Sequence, residues 1–173
     1  MPDYTDELIR VLIECPKQVI RPPKKMMAER RRNRCNDMRL RCDANGQEFD
    51  VFIRVNMDFP ENFSIGLRHC PPEGGRQELL RYNGPHGAFK ARRGDQVHSA
   101  SSHIHLADED SIKAGLRADH GGEKTDEYGI AYTQALTCFL QRVNAKGAVG
   151  FFPELPRTAV KSLFVWADEG TVQ

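Results

Sequence analysis

The sequence predicts an α+β domain: an antiparallel sheet of about five strands, with an N-terminal and a C-terminal helix packed on one face. Apolar and polar residues alternate on both sides of Asn45-Gly46, which is typical of a β-hairpin. Short turns join the strand-like segments, and helical spacing of apolar residues occurs near both ends of the chain. Because no helical segment separates the strands, a parallel sheet with crossover helices is not expected.

The first predicted element is a helix from about Asp3 to Glu14, which Asp3 or Thr5 can cap and Pro16 ends. Spacing alone assigns its buried face to Leu8, Val11, Leu12 and Cys15. Near the other end, Thr133 can cap a second helix. The predicted apolar stripe of that helix is Leu136, Phe139, Leu140 and Val143.

The strands of the predicted sheet begin with the hairpin around Asn45-Gly46. Further strands are expected at residues 64–69, 78–82 and 103–106, each followed by a loop or turn. One face of the hairpin carries its apolar residues, which are Met38, Leu40, Cys42, Phe49, Val51, Ile53 and Val55.

Length and composition limit the class of protein without identifying a function. The 173 residues fit one domain, 1–173, in which residues 145–173 form a C-terminal extension. Lys and Arg number 25 against 24 Asp and Glu, so any electrostatic argument has to be local. No apolar run is long enough for a membrane helix, and the acidic start has no signal core, so we expect a cytoplasmic protein without a membrane partner. The five cysteines form no Cys-x-x-Cys pair, which argues against a zinc ribbon.

The order of several short segments resembles a family of small bacterial and prophage-encoded proteins. The segments that carry the likeness are Phe52-Ile53-Arg54, residues 59–67 (FPENFSIGL), residues 79–81 (LLR), residues 83–86 (NGPH) and His103-Ile104-His105. The likeness covers roughly positions 17–145. It implies a cytosolic bacterial α+β domain and carries no activity with it.

The pair His103 and His105 is the sharpest chemical feature. Residues two apart on a strand share a face, so both imidazoles can converge on one ligand. With Glu109 four residues further on, the pair predicts a site for a divalent metal through His103, His105 and Glu109, with His86 as another candidate ligand.

A second hypothesis needs no metal and places RNA at the same histidines. If the strand around Leu80 pairs with the strand around Ile104, one groove collects basic and aromatic residues from the preceding segment. Its predicted nucleic-acid contacts are Arg81, Tyr82, Lys90, Arg92 and Arg93, with Phe89 among them. Arginine and lysine bind phosphates, and aromatic rings stack bases. Acid–base catalysis would then fall to His86, His103 and His105, as in a small RNA-cleaving protein of the toxin kind.

Two further interpretations remain open at this point. His-x-His on a strand also occurs as a structural feature whose ring nitrogens are all satisfied. Alternatively, the chain is an interaction module or homodimer that uses its apolar tail. That tail contains Phe151, Phe152, Phe164 and Trp166.

Overall fold

The structure, a computed structural model, describes residues 2–86, 101–116 and 122–155. Of the predicted nucleic-acid contacts, Lys90, Arg92 and Arg93 lie outside these residues, as do Phe164 and Trp166 of the tail. The described part is α+β, as the sequence predicts, with one mixed sheet, one helix before the first strand and another helix near the end of the described residues.

The elements follow the order of the predicted segments and add several short ones. The helices are α1 (Asp6–Glu14), α2 (Glu109–Lys113) and α3 (Tyr132–Arg142), with a 3₁₀ turn at Ala148–Phe151. The strands are β1 (Lys17–Arg21), β2 (Ala28–Arg30), β3 (Asn33–Cys42), β4 (Glu48–Asn56), β5 (Phe63–Cys70), β6 (Gln77–Asn83), β7 (His103–Leu106), β8 (Glu123–Lys124) and β9 (Ala145–Lys146).

The sheet is larger than predicted and is not purely antiparallel. Within the described residues it has nine strands in the order β8-β7-β6-β5-β4-β3-β1-β9, and β2 also pairs with β3. Lys17 of β1 pairs in parallel with Ala145 of β9, which makes the sheet mixed. The prediction of about five antiparallel strands is therefore wrong in number and type. The strands that the sequence did not predict are β1, β2, β8 and β9. Of these, β2 has three residues and β8 and β9 have two each, too few to show a period of two in the sequence.

The hairpin of β3 and β4 is confirmed. Gly46 has a φ of 69°, which glycine adopts at little steric cost, and its amide donates to the Cys42 carbonyl over 3.0 Å. Apolar side chains from one face of both strands are fully buried, and they are Met38, Leu40, Phe49, Val51 and Ile53. This face of the sheet is the floor of the hydrophobic core.

Helix α1 packs on that apolar face with a side that overlaps the predicted one: Leu12 is buried and Leu8 and Cys15 pack against the core, but Val11 does not. Thr5 caps the helix, and its hydroxyl accepts from the Leu8 amide over 3.2 Å. Val11 is 42% exposed. The residues that α1 buries are Ile9, Leu12 and Ile13. Val11 and Ile9 both fit a helical stripe with Leu12, so contact with the sheet decided which of them is buried.

Helix α3 adds Ala135, Leu136, Phe139 and Leu140 to the same core. None of the helices in the described ranges is both long and apolar enough to cross a membrane.

One buried cation joins the two core helices. Lys17 is 0% exposed, and its ammonium donates to the carbonyls of Ile13 over 2.7 Å, Cys15 over 2.8 Å and Val143 over 3.0 Å. These carbonyls lie at the ends of α1 and α3, where helix carbonyls lack partners and the helix dipole favours a positive charge. Burial lowers the pKa of Lys17 from its ordinary value.

Candidate functional site

The face of the sheet opposite the core carries polar side chains in two rows that run across five strands. Directly paired residues of antiparallel strands share a face, so the pairing register defines each row. The first row is Cys35, Arg54, Ser64, Asn83 and His103. The second row is Asp37, Phe52, Gly66, Arg81 and His105. We call these two rows, with Arg68 beside them, the polar face.

A chain of hydrogen bonds along the first row fixes the tautomer of His103. The Ser64 hydroxyl donates to Asn83 Oδ1 over 2.6 Å, which leaves the Asn83 amide nitrogen 3.2 Å from His103 Nε2. On the other side of the ring, His103 Nδ1 lies 2.9 Å from the Ser101 carbonyl oxygen. A carbonyl can only accept, so neutral His103 carries its proton on Nδ1. Its Nε2 therefore presents a lone pair.

His86, three residues after the end of β6, contacts that lone pair. Its Nε2 lies 3.3 Å from His103 Nε2, and the two ring centroids are 4.9 Å apart. Because His103 Nε2 accepts, the Nε2–H of neutral His86 donates to it. His86 is half-buried whereas His103 is 2% exposed. His86 is thus the more accessible of these two rings.

His105 completes the histidine cluster, by which we mean His86, His103 and His105. Its ring centroid lies 5.0 Å from that of His103, and it is 2% exposed. Gly122 approaches both rings so closely that a Cβ atom there would be 2.7 Å from His105 Cε1 and 3.1 Å from His103 Cδ2. The chain next to β8 can pack against the cluster only because this residue lacks a side chain.

Next to the cluster, three guanidinium groups surround one aromatic ring. The guanidinium carbons of Arg68, Arg54 and Arg81 lie 4.2, 5.3 and 5.9 Å from the Phe52 ring centroid. The ring lies across Gly66, where a Cβ atom would overlap the Phe52 ring. Cation–π attraction and the arginine stems allow Phe52 to be buried, at 4% exposure, on a polar face.

One carboxylate is shared between two of these arginines. Glu78 Oε2 is 3.4 Å from Arg68 Nε, and Glu78 Oε1 is 2.5 Å from Arg81 Nη2. Arg54 is exposed and makes no ion pair with any residue in the described ranges. The charges of these four side chains sum to a positive value, so this part of the polar face favours an anion.

The structure brings together the predicted residues Arg81, His86, His103 and His105. Strand β6 does pair with β7, with Leu80 opposite Leu106 and Arg81 opposite His105. This was the condition on which the predicted groove depended.

Tyr82 does not fit its predicted role of stacking on a base. It is paired with Ile104 and lies on the core face, where it is 0% exposed and stacks on Tyr128 at 4.8 Å. Its hydroxyl donates to Glu127 Oε1 over 2.9 Å. Burial raises the pKa of this hydroxyl well above its ordinary value. Tyr82 directly follows Arg81 in the strand, and neighbours in a strand point to opposite faces.

Glu109, the third predicted metal ligand, has a different partner. It begins α2, and its carboxylate lies 2.5 Å from the Lys113 ammonium, whose hydrogen bond lowers the pKa of Glu109. No group of three or more His, Cys, Asp or Glu side chains in the described part of the chain is placed to hold a metal ion. A site through His103, His105 and Glu109 stays a prediction, and the two nitrogens that do converge belong to His86 and His103.

The apolar tail is divided between core and surface. Phe152 is 4% exposed and belongs to the hydrophobic core of its own chain, whereas Phe151 is 45% exposed. Phe152 is therefore not available to contact a partner, whereas Phe151 is.

Several site residues were missed at the sequence level, namely Phe52, Arg54, Ser64, Arg68 and Asn83. The alternation in β4 does place Phe52 and Arg54 on the face opposite the core. What the sequence lacked was the register of β5, β6 and β7, which aligns these residues with His103 and His105.

Comparison of the chain with protein-family models, curated proteins and solved structures gives no match. The resemblance to small bacterial and prophage-encoded proteins therefore stays a prediction. The polar face is therefore the feature from which we infer a function.

Proposed function

We propose that the protein binds RNA on the polar face and cleaves a phosphodiester bond by acid–base catalysis at His86. The contact between His86 Nε2 and His103 Nε2, at 3.3 Å, is the observation on which the proposal rests. The contact holds His86, which is half-buried, beside a surface that favours anions. Arg54, Arg68 and Arg81 supply that surface and would pair with phosphate oxygens.

The chemistry uses the RNA 2′-hydroxyl as nucleophile. The neutral His86 ring takes the hydroxyl proton, the 2′ oxygen bonds to phosphorus, and the bond from phosphorus to the 5′ oxygen breaks. The protonated His86 then returns its proton to the leaving 5′ oxygen. The products are a 2′,3′-cyclic phosphate and a 5′-hydroxyl, and histidine is suited to both steps because it titrates near neutral pH.

His103 acts in this scheme as a positioning residue. When His86 becomes an imidazolium, its Nε2–H still donates to His103 Nε2, and a hydrogen bond from a charged donor is stronger than a neutral one. The Ser101 carbonyl keeps the proton of His103 on Nδ1, so the acceptor lone pair stays in place. His105 packs against His103 and helps to hold its ring.

The test is cleavage of a mixed RNA pool in the presence of a metal chelator. We expect products that end in a 2′,3′-cyclic phosphate, and no cleavage of the matching DNA. His86→Gln should lower the rate by about 10²- to 10⁴-fold, the range for loss of a general acid–base group. His69→Gln is the matched control, because His69 is buried on the core face between Tyr4 and Gln47. RNA left intact both with chelator and with added divalent metals would refute the proposal.

A metal centre on the same two nitrogens is the second candidate. Two imidazole nitrogens bound to a tetrahedral zinc ion at about 2.0–2.1 Å lie roughly 3.3–3.4 Å apart. The separation of His86 Nε2 and His103 Nε2 is 3.3 Å. A histidine that binds a metal also commonly donates its other N–H to a backbone carbonyl, as His103 does to Ser101.

Elemental analysis separates the two candidates. Metal in the purified untagged protein, and none in His86→Gln or His103→Gln, would favour the metal centre. Chelator-resistant cleavage by metal-free protein would favour the acid–base scheme.

A further inference from the structure

A strained turn of two arginines lies at the tip of the hairpin formed by β2 and β3. Arg30 pairs with Asn33, so the connection has two residues, Arg31 and Arg32, with φ angles of 52° and 60°. Two-residue turns with positive φ at both positions strongly favour Asn-Gly, since a side chain crowds the backbone in this region. A residue held there against its preference points to a role beyond folding.

The side chains at this tip are available for a charged partner. Arg30, Arg31 and Arg32 are all exposed. Arg32 is 86% exposed and lies 4.0 Å from Asp58, at the outer limit of an ion pair. Arg30 and Arg31 form no ion pair with any residue that the structure describes. The tip therefore carries a net positive charge despite the neighbouring carboxylate.

An exposed aromatic ring lies in the loop beside the tip. The Met57 amide donates to the Arg32 carbonyl over 2.8 Å, which joins the loop between β4 and β5 to the turn. Phe59, two residues later, is 62% exposed, and its amide donates to Asn56 Oδ1 over 3.0 Å. Guanidinium groups beside an accessible ring match single-stranded nucleic acid, whose phosphates pair with arginine and whose bases stack on aromatic side chains.

The tip and the histidine cluster lie at the same end of the sheet. On the polar face, the pair Asn33 and Asn56 is the next row after the one that contains Arg54, Asn83 and His103. Four strand spacings separate β3 from β7, which is about 19 Å at roughly 4.8 Å each. A single strand that crosses this end of the polar face could contact the tip, Arg54 and the histidine cluster in turn.

We propose that Arg31, Arg32 and Phe59 form a second RNA contact, which holds single-stranded RNA while another part of the same strand reaches His86. The partner class rests on the proposed function, and the contact extends it by defining the substrate as single-stranded and its path as running across the strands. The two arginines bind phosphates, and Phe59 stacks on a base.

The experiment measures binding of a labelled 2′-O-methyl oligonucleotide of about 12 nucleotides, within the usual range of single-strand sites. This probe lacks the attacking hydroxyl, so binding is measured without cleavage. Arg31→Asn/Arg32→Gly should weaken binding about tenfold. It should also make the negative slope of log K against log salt shallower by about 1.4, since two phosphate contacts are lost. The same variant should melt about 4 °C higher, because Asn-Gly relieves the turn. Phe59→Ala should weaken binding without changing the salt slope.

Two control variants define the outcome. Arg31→Lys/Arg32→Lys keeps the charge and should retain most of the binding. Arg10→Gln/Lys113→Gln removes two positive charges from the exposed surfaces of α1 and α2 and should leave binding unchanged.

Three results would overturn the inference. The first is that the parent protein does not bind the probe. The second is that Arg31→Asn/Arg32→Gly melts at a higher temperature but binds the probe with the same salt slope. The third is that duplex RNA or anionic vesicles bind as tightly as the probe through the same arginines. Loss of cleavage in His86→Gln is measured independently. Tip-dependent binding without any cleavage would therefore refute the proposed function and leave this contact standing.

Discussion

The two faces of the sheet bury side chains by different means. On the core face, α1 and α3 cover aliphatic and aromatic residues of the sheet such as Leu40 and Phe49, and these apolar contacts are non-directional. On the polar face, Phe52 is surrounded by guanidinium groups, and His103 is held by hydrogen bonds at both ring nitrogens. Volume decides which residues suit the first face, whereas the second depends on the positions of individual donors and acceptors.

Two buried histidines make the same contrast within one residue type. His69 on the core face accepts from the Tyr4 hydroxyl over 2.8 Å and donates to Gln47 Oε1 over 2.7 Å. Each of its nitrogens has one partner, as in a structural histidine. His103 Nε2 faces two donors, Asn83 and His86, and the second is half-buried. This extra, half-buried partner is the difference on which the proposed site depends.

The largest effect on stability is expected from Phe139→Ala in α3. Phe139 is 0% exposed and lies edge-on to the Tyr82 ring at 5.5 Å. Truncation should lower the free energy of unfolding by about 4 kcal/mol, since it leaves a cavity in a packed core. Chemical denaturation measures the loss. If the two faces are independent, the rate of RNA cleavage per folded molecule should be unchanged. A large fall in that rate would show that the polar face depends on packing of the core face.

Lys17→Met should have the next largest effect. Methionine fills a similar space but donates to none of the three carbonyls that Lys17 joins, so the ends of α1 and α3 lose their shared donor. We expect a loss of about 3 kcal/mol in denaturant unfolding, because unsatisfied buried carbonyls are each costly. A variant as stable as the parent would mean that these carbonyls reach water without Lys17.

Phe52→Leu tests the polar face directly. Leucine keeps the apolar bulk over Gly66 but has no ring for the guanidinium groups, so stability should fall by only about 1–2 kcal/mol. Affinity for the oligonucleotide should fall as well, because Arg54 and Arg68 lose the ring that orients them. Leu40→Met on the core face is the control, and it should leave that affinity unchanged. Equal effects of the two variants on binding would contradict the division between faces.

The smallest effect concerns the pH dependence of stability through His69. Burial lowers the pKa of His69, with nearby Glu73 opposing the shift, so the folded state binds fewer protons than the unfolded state. The stabilisation is therefore present above about pH 6.5, the ordinary value, and is lost as the pH falls below it. His69→Gln should have a flatter profile of unfolding free energy between pH 7 and pH 5, within the usual range of histidine titration. Parallel profiles for the two proteins would show that His69 is not the group responsible.

Local sequence predicted the elements that depend on neighbouring residues. Asn45-Gly46 specifies a tight turn, and the period of two on both sides fixes which face of β3 and β4 is buried. The strand His103–Leu106 was also predicted with its observed bounds. The side of α1 was predicted in part: Leu12 is buried as expected, but Val11 and Ile9 both fit a helical stripe with Leu12, and only contact with the sheet distinguishes them.

Local residue patterns were enough to predict the α+β class, the central hairpin, and His103 and His105 on one face of a strand. They could not predict that His86 meets His103, that Phe52 and three arginines lie beside them, or that Tyr82 points into the core. These features depend on the register between strands. A shift of one residue between β6 and β7 would move every side chain of one strand to the other face, and no local pattern records that alignment.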